Sequence, residues 1–137
     1  LFKKAVTIFL NSNERGIVLT FFRSQGSVLL QLFRGYDVLN WDWVKELNNL
    51  NEQSVVFVIS FNEKKKGESS DIDRFFKSGF YSTYKSFSSN GHVKYLYTLT
   101  FSSLFQKLKL IKEIKKVIET VYLFEPGEKV TLSLDIY

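Results

Sequence analysis

The sequence predicts a single α+β domain over residues 1–137: a largely antiparallel sheet of about six or seven strands with one long amphipathic helix packed on one face. Three observations predict it. β-Branched and aromatic runs bounded by turn residues recur along the chain. One long segment, about 103–123, keeps its apolar residues at helical spacing. No linker, repeat or low-complexity stretch divides the 137 residues, a length that lets one core bury about two-thirds of the unfolded chain's surface.

Ala5 to Leu10 (AVTIFL) and Ile17 to Arg23 (IVLTFFR) read as two strands joined across the turn-rich Asn11 to Gly16. Val28 to Phe33 reads as a third, ending at Arg34-Gly35-Tyr36-Asp37. The period then changes. Trp41, Val44 and Leu47 recur behind Asn40, a candidate N-cap, which predicts a short helix over about 41–50. Ser54 to Phe61 (SVVFVISF) is apolar on both faces, as in a central strand covered from both sides. Asn62 to Ser70 reads as a polar loop, with Ser70-Asp71 capping a short helix through Phe76.

Ser89-Asn90-Gly91 carries the strongest turn signal, because Asn-Gly accepts the positive φ values of a type I′ hairpin. Its expected arms are Phe80 to Phe87 and Val93 to Phe101. The long helix follows. Leu104, Leu108, Leu110, Ile111, Ile114, Val117, Ile118, Val121 and Tyr122 form its apolar half, and Lys109, Lys112, Glu113, Lys116 and Glu119 its wet half. Ser102 or Ser103 is the expected cap, and Glu125-Pro126-Gly127-Glu128 the expected stop. Val130 to Tyr137 alternates apolar and polar residues as a last strand.

Charge is distributed unevenly along this frame. Twelve of the nineteen Lys and Arg lie between Lys64 and Lys116, against Glu68, Asp71, Asp73 and Glu113, so that block carries +8 of charge within a chain of net +5. Such a block biases which partners a domain meets and says nothing about its fold.

Most chemistry is disfavoured by what the chain lacks. With no Cys there is no disulfide framework, thiolate metal site or cysteine nucleophile. The single histidine, His92, follows an Asn-Gly turn and is expected in solvent, which leaves a hydrolytic triad without a base and zinc without ligands. The seven glycines form no phosphate cradle. Asp71 and Asp73 beside a loop are the best carboxylate pair for a metal-dependent enzyme, and they read more simply as acids at a helix N-terminus. Glu63-Lys64-Lys65 matches the acid-x-Lys element of metal-dependent nucleases, but so does Glu113-Ile114-Lys115 on a helix. No catalytic residue, cofactor or metal is therefore expected.

Surfaces remain. Lys64, Lys65 and Lys66 on a loop, Lys85 and Lys94 on hairpin arms, and Lys109, Lys112 and Lys116 along one helix face would form a single-stranded nucleic-acid site if they converged. Phe75, Phe76, Phe80, Tyr81, Tyr84, Phe87, Tyr95 and Tyr97 are the candidate stacking platforms. Against this, the block contains only Arg74 as an arginine, and lysine suits bidentate and stacked recognition poorly.

The competing surface is a protein interface built from Arg34, Tyr36, Trp41 and Trp43, residue types that anchor interfaces. The preferred expectation is a non-enzymatic domain acting on a protein partner, of the inhibitor, immunity, adaptor or assembly-subunit type. Nucleic-acid binding is the alternative, and a carboxylate enzyme the third. Ala5 to Leu10 is too short for a signal core or membrane span, and the long helix needs its apolar side for the core, so no membrane insertion is expected. A chain opening at Leu1 rather than Met reads as processed, trimmed or renumbered, and the expected compartment is the cytoplasm. Oligomeric state is not set by the sequence.

Overall fold

The computed structural model describes residues 2–12, 16–23, 28–35, 54–62, 66–79, 83–88, 94–101, 106–124 and 129–136. Its strands are β1 (Ile17–Arg23), β2 (Val28–Arg34), β3 (Val55–Asn62), β4 (Lys85–Ser88), β5 (Lys94–Phe101) and β6 (Val130–Ile136). Its helices are α1 (Phe2–Asn11), α2 (Lys66–Lys77) and α3 (Lys107–Thr120). The expected helix over 41–50 lies outside the described residues, as do Asn40, the Ser89 to Gly91 turn, Ser102, Ser103 and Glu125 to Glu128.

The six described strands form one sheet in the order β4-β5-β3-β2-β1-β6. Every described pairing is antiparallel. The unbroken apolar run of β3 lies inside this sheet as expected, between β2 and β5, and Val55 to Ile59 are buried whichever face they point to. A bulge interrupts the β1–β2 register between Phe21 and Phe22. The β4–β5 register pairs Lys85 with Thr98, where a two-residue Asn90-Gly91 turn would have paired it with Leu96.

Ala5 to Leu10 is helical, so the expected first strand and its hairpin with β1 are corrected. Val6, Phe9 and Leu10 supply the reason. Their i, i+3, i+4 spacing turns them into the core together, and packing of that face overrides the β-propensity of Val, Ile and Thr. Thr7 Oγ1 donates to Lys3 O at 2.6 Å, the back-bond by which a threonine settles inside a helix.

Three other boundaries move. Among the described residues, the hairpin arm expected over Phe80 to Phe87 is a strand only from Lys85 to Ser88, because Thr83 and Tyr84 turn the chain so that the Tyr84 ring packs into the core. α2 starts at Lys66, within the expected loop, so Asp71 lies in the body of the helix rather than at its cap. α3 starts at Lys107 behind Gln106, which makes no side-chain capping bond.

All three described helices pack on one face of the sheet. Register puts Leu19, Phe21, Leu30, Leu32, Phe57 and Ile59 on that face. Val6, Phe9, Phe75, Leu110, Ile114, Val117 and Val121 meet them from the helices. Each large side chain buried here contributes about 1.5–3 kcal/mol. α3 lies between its neighbours, touching α1 and α2. On the other face Val18, Thr20, Phe33, Val56 and Val58 are also buried, with the Gln31 side-chain amide donating to Thr20 Oγ1 at 3.2 Å across β1 and β2.

Candidate functional site

Three of the chain's four arginines serve helix C-termini. Arg34, at the end of β2, donates to the carbonyl of Ser12, just past the end of α1, at 2.5 Å. Arg23, at the end of β1, donates to Tyr122 O and stacks over the Phe124 ring, 4.5 Å from its centroid. Arg74 Nε donates to Val121 O at 2.6 Å while its Nη2 pairs with Asp71. The last carbonyls of a helix have no partner within it and carry the negative end of its dipole, so cations settle there. Leu123 completes the α3 stop by taking the left-handed conformation, φ 54°, and Phe124 N–H turns back to Ile118 O at 3.2 Å.

This arrangement answers several sequence-based expectations. Arg34 is 8% exposed and bonded to Ser12, so little of it is left for a partner. Tyr36, Trp41 and Trp43, its companions in the expected interface, lie outside the described residues. Asp71 is tied to Arg74, and Asp73 is exposed on the same helix. Among the described residues no group of three or more His, Asp or Glu is placed to hold a metal ion. His92, Glu63, Lys64 and Lys65 lie outside the described residues.

Two of the expected base-stacking aromatics are core residues. Phe75 is fully buried and packs edge-on against Tyr84, centroids 5.2 Å apart, and against Phe61 at 5.7 Å. Tyr84 also meets Phe57 at 6.1 Å, and Phe61 meets Tyr122 at 6.4 Å. These rings fill the space between β3 and the two helices α2 and α3. Phe76 is exposed, whereas Phe80 and Tyr81 lie outside the described residues.

Tyr84 reaches out of this cluster to the helix charges. Its hydroxyl donates to Glu113 Oε1 at 2.6 Å, and Lys116 Nζ lies 3.0 Å from Glu113 Oε2. Burial, followed by the hydrogen bond to the Glu113 carboxylate, pushes the Tyr84 phenol far above its ordinary range and keeps it protonated. Glu113, expected on the wet arc, is thus half-buried and holds α3 to the β4 side of the fold. Lys116 pairs with Glu113, one turn earlier on the helix.

The lysines divide. Lys94 pairs in register with Asn62 at the end of β3, and Lys66 opens α2 four residues after Asn62, so both belong to the sheet end where α3 finishes. Lys85, paired with Thr98, sits further along β5. Lys109, Lys112 and Lys116 follow α3, the first two exposed and the third half-buried.

α1 adds what sequence reading missed. Lys3 and Lys4 are exposed on a helix that contacts α3, and Lys115 is exposed on α3 itself. Lys107 Nζ donates to Thr7 Oγ1 at 2.9 Å and joins the two helices. The i, i+3, i+4 pattern of Val6, Phe9 and Leu10 was the available signal, since a helix there brings its N-terminal lysines into the same layer.

Amid these lysines stand two exposed aliphatic side chains. Leu108, counted above on the apolar half of the helix, is 71% exposed, and Ile8 of α1 is 49% exposed. Each directly follows one end of the Thr7–Lys107 bridge. The buried stripe of α3 is centred between Leu110, Ile114, Val117 and Ile118, and Leu108 lies about 130° around the helix from it at 100° per residue. The joined helices α1 and α3 therefore present Lys3, Lys4, Lys109, Lys112 and Lys115 around Ile8 and Leu108, with Glu119 as the exposed acid.

No protein-family model, curated protein or solved structure matches this chain.

Proposed function

We propose that this chain is a cytoplasmic, non-enzymatic binding domain that docks a protein partner bearing an acidic surface, as an inhibitor, immunity protein, adaptor or assembly subunit does. The observation that carries the reading is Leu108: a large aliphatic side chain, 71% exposed, framed by the lysines of α3 and the adjoining α1. Apolar anchors within a charged surround are the make-up of a protein interface, where the apolar centre supplies affinity and the charged rim steers approach. Arg23, Arg34 and Arg74, which would add bidentate phosphate contacts, serve helix ends instead.

Binding of single-stranded nucleic acid is the second reading, favoured by the Lys109, Lys112 and Lys116 alignment along α3. The burial of Phe75 and Tyr84 removes two of its stacking platforms. No described helix is long and apolar enough to cross a membrane. Among the described residues every buried side-chain nitrogen and oxygen has a hydrogen-bond partner.

Salt dependence separates the two readings. For a nucleic-acid site, affinity for an oligothymidylate falls steeply with salt, and changing Lys109, Lys112 and Lys116 to Glu lowers the slope. For the protein reading, oligothymidylate binding is absent, and a stoichiometric partner co-purifies from the native source and is lost on the same substitutions. Trp41→Ala and Trp43→Ala test the other candidate patch in the same assay. Salt-steep oligonucleotide binding carried by these lysines would overturn the proposal.

A further inference from the structure

β6 is the outermost strand of the sheet and pairs with β1 in an unbroken register from Ile17↔Ile136 to Arg23↔Val130. Among the described residues nothing pairs with its other side. Thr131, Leu134 and Asp135 are exposed along it, as is Lys129 just before it. The opposite edge strand, β4, is only four residues long, a length that discourages added strands. β6 is longer, and Asp135 is its one charged side chain. Its seven residues, VTLSLDI, contain no proline and no lysine, and its pairing with β1 contains no bulge.

Its sequence complements itself when laid antiparallel on a copy and centred on Leu132. Lys129 then faces Asp135, Val130 faces Leu134, Thr131 faces Ser133, and Leu132 faces its own copy. The strand period of two keeps each kind on its own side. Leu132 and Leu134 lie on the helix-bearing face through their pairing with Phe21 and Leu19, and Ser133 and Asp135 lie on the other, joined by a hydrogen bond between their side chains. Moving the centre one residue either way along the strand dissolves both charge pairs: centred on Thr131, Lys129 meets Ser133, and centred on Ser133, Asp135 meets Thr131.

The structure assigns β6 as a dimerisation edge. We infer that a second copy of this chain adds its own β6 antiparallel along about 20 Å of strand, joining two six-stranded sheets into one across a two-fold axis. Leu134 supports this directly. It lies on the helix-bearing face, paired with the buried Leu19, yet it remains 40% exposed, and the copy's Val130 closes over it. Two Lys129–Asp135 pairs fix the register on the opposite face. The inference is independent of the lysine surface on α1 and α3.

Sedimentation velocity of the full chain over a concentration series tests it. The wild type is expected to show a reversible monomer–dimer equilibrium. Lys129→Asp and Asp135→Lys, each placing like charges opposite at both ends, are expected to weaken the dimer about tenfold. The double exchange K129D/D135K restores wild-type association with the charges swapped. Both positions are exposed, so circular dichroism of each variant should match the wild type. A monomer at every concentration, a dimer indifferent to the single changes, or single-variant losses that the exchange does not rescue would each overturn the assignment.

Discussion

Removing the Tyr84 hydroxyl alone tests how the charged helix is held to the core. Tyr84→Phe keeps the ring contacts with Phe57 and Phe75 and deletes the 2.6 Å bond to Glu113. A hydrogen bond to a charged acceptor contributes about 1.5–3 kcal/mol, and the upper end is too high here. Glu113 keeps Lys116 at 3.0 Å and some solvent access, so about 1.5–2 kcal/mol is expected at pH 7.

The pH dependence follows from the same contact. The folded phenol is held above its unfolded value of 10.0, so its contribution is fully present below pH 10 and is lost as pH rises, when the unfolded chain ionises and the folded one does not. As pH rises past 10 the wild type progressively loses this contribution, and the variant has none to lose. Urea denaturation at pH 7 and again near pH 11 measures both. The stability gap between the two proteins should be clearly smaller near pH 11 than at pH 7. A variant as stable as the wild type at pH 7, or a gap that stays constant with pH, would refute the reasoning.

Three further substitutions test other parts of the account by the same denaturation measurement. Arg34→Met keeps the stem and removes the donor to Ser12, and should cost about 1–3 kcal/mol, since the α1 end carbonyl loses its buried partner. Leu123→Gly should stabilise by about 0.5–1 kcal/mol, because the left-handed backbone no longer strains a Cβ and the exposed side chain buries little. Phe75→Ala should cost about 3–5 kcal/mol, the loss expected for a fully buried ring at the centre of the aromatic cluster.

β-Branched and aromatic runs bounded by turn residues made β1, β2 and β3 legible, and periodicity did the same for β5, β6 and the body of α3. α1 was not legible for a physical reason. AVTIFL has the composition of a strand and only six residues in which to show a period, and its choice is made by Val6, Phe9 and Leu10 packing on a sheet that forms from residues far along the chain. α2 was shortened because Lys64 to Ser70 resembles a solvated loop, whereas the helix there is held by Phe75 and by Arg74 bonding to the end of α3. The candidate site was half-read. Lys109, Lys112 and Lys116 follow from helical spacing, but Lys3 and Lys4 depend on α1 being a helix beside α3. The use of Arg23, Arg34 and Arg74 at helix ends is a tertiary fact, with partners 99, 22 and 47 residues away.

Docking of an acidic protein partner on the joined α1–α3 face, as proposed, depends on Leu108 and the lysines around it. Isothermal titration calorimetry of the co-purified partner against wild type, Leu108→Ser and Lys109→Glu/Lys112→Glu tests it most directly. All these side chains are exposed, so stability should change by no more than about 0.5 kcal/mol for the leucine change. At least about a tenfold loss of affinity is expected for Leu108→Ser at any salt concentration, and a loss for the lysine pair that fades as salt rises. Wild-type affinity in both variants would contradict it.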